Sequence, residues 1–412
     1  MISQRELSLC ISVFFNIIGQ VVFYICISWY ALEVSGSVSG VGLVLVGRPI
    51  VSLLLGSVVG VLVDRMDRFK LFAAGQILKA VGVAALMISA RYADTANIGL
   101  GTLCAAALVV YLGTLISIPC IQALIQSASG GSIMRIVTLA GLVTQAADII
   151  GMAGGGIAIA LIGLNATLWL SAAFALAAVL FALPLCGDIS RGSCSQIGYG
   201  ASLREGVQLI CGNERLMLAS ISVALVWSVA QITMTLLAGF TKTGLGLGVE
   251  AYGWIEAMWG VGTALAGLTI LKFNQIAEHP LLRKYGILVL ACAVAVFSRA
   301  DSLAAAMLLH AFVGLAFAFN RVCFDGLILS TVPRDKIGRV RSNIESLIGL
   351  LGIGIFLSPN LFSTASAGEI YAGFSACLIL SALGLVIWSQ QTDRKMIGAK
   401  LGLSDQGRRT VV

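Results

Sequence analysis

Seven ionisable side chains stand inside long apolar runs of this sequence: Arg48, Lys79, Asp148, Glu256, Arg321, Asp325 and Glu345. A charge in lipid costs roughly 2.5–3.5 kcal/mol on insertion scales, so such groups usually face the interior of a helix bundle and serve a purpose there. Arg321 and Asp325 are four residues apart, on one helical face, and can pair. His310, eleven residues earlier, falls on nearly the same stripe. That stripe either lines a pathway or holds a static ion pair at one end of the helix. Asp148 sits at mid-depth of its run, where it can carry a proton or pair with Arg48 or Lys79. Glu256 lies between Trp254 and Trp259, and is the other acid placed to carry a proton. Asn16, Gln20, Gln231, Thr233 and Thr235 add uncharged polar groups near mid-depth. They suit a polar substrate or, equally, a neighbouring helix. Arg48, Lys79 and Arg321 favour an anionic cargo, because cations in a low-dielectric cavity attract anions strongly.

The runs that carry these residues must be membrane spans. Of 412 residues 58% are hydrophobic and 11% charged, and the mean hydropathy is +0.99. A soluble chain is about one-quarter charged. Twelve spans are expected, at 7–31, 38–63, 71–90, 97–125, 137–162, 167–186, 216–241, 250–271, 285–298, 302–331, 341–363 and 369–389. The Lys and Arg residues sort by side. Arg91, Lys242 and Arg299 fall on one face, Arg48, Lys79 and Arg321 within spans, and all the others on the opposite face. The positive-inside rule then places both termini in the cytoplasm, in a multi-pass protein of the inner (cytoplasmic) membrane. The net charge of +7 reflects this topology, not nucleic-acid binding.

The polar stretch from Gly187 to Arg215 divides the chain into an amino-terminal half (1–187), a linker (188–215), a carboxy-terminal half (216–390) and a basic tail (391–412), expected to be loose. Within the linker, Leu203, Val207 and Ile210 share one face of a short amphipathic helix, expected at the membrane interface. Arg135-Ile-Val-Thr138 opens span five and Arg339-Val-Arg-Ser342 opens span eleven, an echo consistent with two six-span repeats. The ten cysteines form no C-x-x-C pair and mostly lie in spans, so they read as small apolar residues. No cofactor or metal site is expected, and the partners expected are a small-molecule substrate, protons and the bilayer, for a monomeric chain.

Between spans two and three stands Gly60-x-x-x-Asp64-Arg65-x-x-Arg68-x-Lys70, which resembles the loop signature of the major facilitator superfamily, with Asp67 where Gly is usual. Gly151-Met-Ala-Gly-Gly155-Gly156 resembles that family's antiporter signature in span five, with Met152 in place of Pro. Ser28-Trp-Tyr-Ala-Leu-Glu33, Arg48-Pro49 and Val332-Pro333 through Val340 extend the resemblance to the branch that includes enterobactin and macrolide exporters. The resemblance implies an all-α fold of twelve transmembrane helices in two six-helix pseudo-repeats. It further implies export of a small organic molecule, a siderophore or drug-like compound, by alternating access with proton antiport. An uptake symporter or a lysophospholipid-type transporter is the alternative. An intramembrane enzyme is a remote one, since no H-E-x-x-H or G-x-S-x-G motif lies in a span. The family's span-four cation is missing between Asn97 and Gln126.

Site residues follow from both readings. Asn16, Gln20, Arg48, Gln231, His310 and Arg321 are expected in the substrate cavity, with Asp148, Glu256 and Asp325 as proton-coupling candidates. Gly151, Gly155 and Gly156 let helices approach closely. Gly60, Asp64, Arg68, Arg339 and Arg341 are expected to act as a gate. In it Gly60 lets span two pack on the other half, and Asp64 meets the start of span eleven when the cytoplasmic side closes.

Overall fold

A computed structural model describes residues 4–92, 99–127, 133–186, 199–273, 279–332, 336–362 and 365–409. Lipid offers the backbone no hydrogen-bond partners, so a spanning segment must satisfy its own, and a helix does so within one segment. Among the described residues twelve helical segments are long and apolar enough to cross a membrane, and no strand is present. The first half comprises α1 (Gln4–Ser35), α2 (Val38–Leu45), α3 (Gly47–Arg65), α4 (Arg68–Tyr92), α5 (Leu100–Ser127), α6 (Ile133–Ile162) and α7 (Leu164–Ala182). A linker helix follows, α8 (Tyr199–Cys211). The second half comprises α9 (Glu214–Gly239), α10 (Val249–Lys272), α11 (Pro280–Phe297), α12 (Leu303–Thr331), α13 (Ile337–Leu361) and α14 (Ala367–Arg409). Twelve crossings return the chain to the side on which it began, here termed the terminal face.

Span two is interrupted between α2 and α3, at Val46. Pro49 has no N–H to give Leu45, and its ring crowds that carbonyl, so one rung of the ladder is lost there while Val46 keeps helical backbone and both of its own bonds. Pro359 frees a carbonyl in the same way near the end of α13, and there Ser358 Oγ donates to Ile355 O at 2.7 Å. These two interrupted helices meet across the halves. Ser39 Oγ donates to Pro359 O at 2.9 Å, and Gly42 packs directly on the Phe356 carbonyl, with no room for a side chain.

The equivalent pair, α6 and α10, also meets backbone to backbone. A Cβ on Gly156 would lie 2.7 Å from Val249 O and 3.0 Å from Gly253 Cα. Gly151 and Gly155 instead face Val21 and Ile25 of α1. Contacts reach mid-depth, where Gly349 of α13 meets Leu53 of α3 and Gly260 of α10 meets Ile149 of α6. Nearer the terminal face, a side chain at Gly56, Gly60, Gly141 or Gly267 would meet nothing within 4 Å. The halves therefore close on the face opposite the termini and part toward the terminal face. The close packing expected at Gly60 is absent for this reason.

Two of the residues expected on the linker helix's apolar face are placed differently. Ile210 packs into the core while Val207 is exposed, and the Leu203 side chain lies outside the described residues. Instead α8 docks on α13: Gly206 lies against the Arg339 backbone, and Glu205 pairs with Arg339 and with Lys336. The tail expected to be loose continues α14 as helix to Arg409.

Gly156→Ala should destabilise the protein by about 1–3 kcal/mol, the cost of overpacking, read as a lower unfolding midpoint in detergent. Gly154→Ala, where nothing lies within 4 Å, should be neutral or gain up to about 1 kcal/mol of helix propensity. Equal midpoints for the two variants would mean that the halves do not touch at Gly156.

Candidate functional site

Between the halves lies a cavity of about 470 Å³, the size of a small-molecule site. Tyr24, Glu256 and Phe356 line its deep end, and Gly267, Ile270 and Val322 line it toward the terminal face. Its two walls differ. The first half contributes a polar wall with Gln20, Arg48, Tyr111, Gln145 and Asp148, drawn from α1, α3, α5 and α6. The second half contributes an aromatic wall in which Phe317 lies edge-on to Trp227 at 5.5 Å and beside Trp259 at 4.9 Å. The Arg321 guanidinium stands 5.6 Å from the Trp227 ring centre.

Both acids expected to couple protons line this cavity. Glu256 is 5% exposed and has no cation within 4 Å among the described residues. Tyr24 Oη donates to its Oε1 at 2.8 Å, a bond that crosses from one half to the other. Of its flanking tryptophans, Trp254 points outward and is exposed, whereas Trp259 lines the cavity. Asp148 also lacks an ion-pair partner among the described residues; neither Arg48 nor Lys79 comes within pairing distance. Gln145, one turn earlier on the same face, bridges the halves by donating to Gly260 O at 3.1 Å.

Gln20, Arg48 and Arg321 line the cavity as expected from their positions, but Asn16, Gln231 and His310 do not. Asn16 turns into the first half, where its Oδ1 accepts from Gln76 and Lys79. Gln231 donates to Ile348 O of α13 at 3.1 Å, bracing a helix contact. His310 is 0% exposed; its Nδ1 lies 2.7 Å from Ile255 O, and its ring stacks on Phe297 at 5.1 Å. Eleven residues turn the helix only about 20° beyond three full turns, so His310 keeps nearly the face of Arg321 but stands about 16 Å away along the axis, in the packing between α10, α11 and α12. Asp325 lies outside the cavity lining. It sits 3.9 Å from Arg321 Nε and bonds Arg341, an arrangement that ties α12 to α13.

Two cations of the expected gate have partners outside it. Arg339 is engaged by Glu205 and Arg341 by Asp325, Gly60 faces open space, and the Asp64 side chain lies outside the described residues. Arg68 opens α4 at the terminal face. Tyr24, Tyr111, Gln145 and Trp227 escaped sequence reasoning because polar aromatics and a glutamine are ordinary in spans. Tyr24 stands four residues after Gln20, and Gln145 three before Asp148, so helical spacing from these two residues was the available signal.

The sequence profile of the Major Facilitator Superfamily matches residues 9–359. A curated relative, the uncharacterized MFS-type transporter YfiS of Bacillus subtilis (strain 168), is 27% identical over 350 residues, covering 79% of this chain and 80% of the relative. Among solved structures, the nucleoside transporter NupG superposes with a TM-score of 0.74 at 16% identity, covering 93% of this chain and 99% of NupG. A bacterial homolog of the human lysosomal transporter Spinster, in an inward-facing and unoccupied conformation, gives 0.66 at 16% identity, covering 93% of this chain and 94% of the homolog.

Single cysteines placed at Thr263 or Ala318, both in the cavity lining, on a Cys-depleted background should react with an impermeant thiol reagent added to the terminal face and resist it from the other. Equal labelling from both faces would contradict the one-sided opening.

Proposed function

The chain belongs to the Major Facilitator Superfamily and is a transporter of that type; on that premise we propose that it exports an amphipathic organic anion in exchange for protons. The observation that carries this reading is the two-sided cavity, with aromatic rings and Arg321 on one wall and Arg48 on the polar wall opposite. A planar apolar body would lie against Trp227, Phe317 and Trp259, and a carboxylate or comparable anionic group would meet the guanidinium of Arg321. Arg321 is 51% exposed, and its Asp325 contact of 3.9 Å is long enough to yield to a ligand. A carboxylate siderophore or a drug-like acid has this form.

Coupling falls to Asp148 and Glu256. The Tyr24–Glu256 bond joins the halves while the far face is shut, and a carboxylate acceptor makes such a bond stronger than a protonated one. A proton on Glu256 weakens the clasp, and only such a differential contact shifts a two-state equilibrium. The terminal face is then the cytoplasmic one, as the distribution of Lys and Arg favours, and a monomer in the inner membrane suffices, since the cavity lies within one chain.

In liposomes with a pH-reporting dye and a panel of aromatic carboxylates, Glu256→Gln or Asp148→Asn should abolish uphill export while leaving binding measurable. Arg321→Gln should weaken an anionic cargo about tenfold more than its neutral amide, since a charge-assisted contact contributes about 1.5–3 kcal/mol. Undiminished proton-driven export by the double acid variant would remove both acids from the mechanism. Equal loss for anion and amide would leave Arg321 a structural partner of Asp325.

A further inference from the structure

The first half contains a second polar centre, behind the cavity wall. Lys79 lies midway along α4 and is 4% exposed. Its Nζ donates to Asn16 Oδ1 of α1 at 2.8 Å, and Gln76 Nε2, nearly one turn earlier on α4, donates to the same oxygen at 2.5 Å. Two helices, α5 and α7, pack on α4, α1 reaches it through Asn16, and none of the three offers a negative charge at this depth. Ser171, Ala172 and Ala175 of α7 border the site, and α7 carries no ionisable side chain at all. On α5, Val110 borders it and Gly113 makes room for the lysine stem, since a Cβ there would lie 2.9 Å from Lys79 Cγ. The titratable groups of α5 are Cys104, Tyr111 and Cys120. The acids of α1 are Glu6 and Glu33, about 15 and 25 Å from Asn16 along a helix rising 1.5 Å per residue. The other cations of α4, Arg68, Lys70 and Arg91, stand at its ends.

A lysine retained in a span for structure usually has an acid beside it; Lys79 has one amide oxygen. An ammonium has three donors, of which one is used here. Gln76 Oε1 and Gln20 Oε1 are buried acceptors without partners among the described residues. Beside them lies a void of about 10 Å³, at the lower limit for a single water. Gln20 borders both this void and the main cavity, whose nearest charged lining groups on the first half are Asp148 and Arg48. We propose that the Lys79 amine is a second proton-binding site, taking up and releasing a proton in each transport cycle by exchange with the cavity past Gln20. The proton comes from a cavity water and returns to one, so only an N–H bond forms and breaks. Asn16 holds the amine in either form, because both forms can donate to its oxygen. The site serves transport only if the cavity is proton-coupled, as proposed above.

Two measurements separate these ideas. The purified full chain, weakly buffered in detergent, is stepped from about pH 9 to about pH 7, between which a solvated lysine keeps its charge. The parent should bind about one proton per molecule more than Lys79→Met or Lys79→Gln, each verified as monodisperse. The glutamine variant keeps a donor for Asn16 should the methionine variant fail to fold. Equal uptake by parent and variant overturns the proposal and leaves Lys79 a fixed hydrogen-bond donor. In liposomes with the carboxylate panel, both variants should move fewer protons per cargo than the parent. An unchanged ratio also overturns the role in transport. A parent that moves cargo without protons, yet keeps the uptake difference, would sink the coupling of the cavity and leave the proton site standing.

Discussion

The halves of this protein meet backbone to backbone at a few glycines, and the seam between them is shaped by those close approaches. Gly156 against Gly253 and Gly42 against the Phe356 carbonyl bring helices closer than any side chain would allow. Such contacts gain dispersion energy over a short distance, and beside them Trp29 of the first half stacks on Tyr252 of the second. Few polar ties reinforce them: Ser39 to Pro359, Tyr24 to Glu256 and Gln145 to Gly260. A seam built this way can separate at one face as it forms at the other, which alternating access requires. The prolines lie at the same seam: Pro49 closely follows α2, and the Pro359 carbonyl accepts from Ser39 across it.

Low dielectric governs the rest. Each charge in the bundle needs an answer, and the structure answers them unevenly. Asp325 has two cations and Glu205 has two; both sets lie near the terminal face and tie α13 to α12 and to the linker helix. Deeper in, Glu256 has a tyrosine and Lys79 has an asparagine. Groups with full counter-charges hold elements together, whereas groups with only a neutral partner are free to change charge when the surroundings change. That contrast separates the ties of the terminal face from the coupling residues proposed above.

The cavity's two walls come from different halves, and the cargo contacts proposed above, Trp227, Phe317, Trp259 and Arg321, all stand on the second. The polar wall is delivered by α1, α3, α5 and α6, the aromatic wall by α9, α10 and α12. Rocking one half against the other would move that surface relative to Gln20, Arg48, Gln145 and Asp148 of the first half, so a cargo touching both walls would sense the transition.

Much of this was legible in the sequence. Hydropathy alone located the spans, because length and apolarity are what a bilayer demands of a helix, and the charged loop after span two with the glycines of span five pointed to the family. The ionisable residues of the spans named Arg48, Asp148, Glu256 and Arg321 as inward-facing for the same reason, and all four line the cavity. Sequence could not assign Asn16, Gln231 or His310. A polar residue facing inward meets either a cavity or a neighbouring helix, and only the packing of α4, α13 and α11 decides which. Nor could it show the Gly60 end standing open, since a gate has two arrangements and one chain encodes both. Tyr24 became Glu256's partner only when two helices 232 residues apart in sequence were brought within hydrogen-bond reach, a distance set by the glycine seam and by nothing local to either residue.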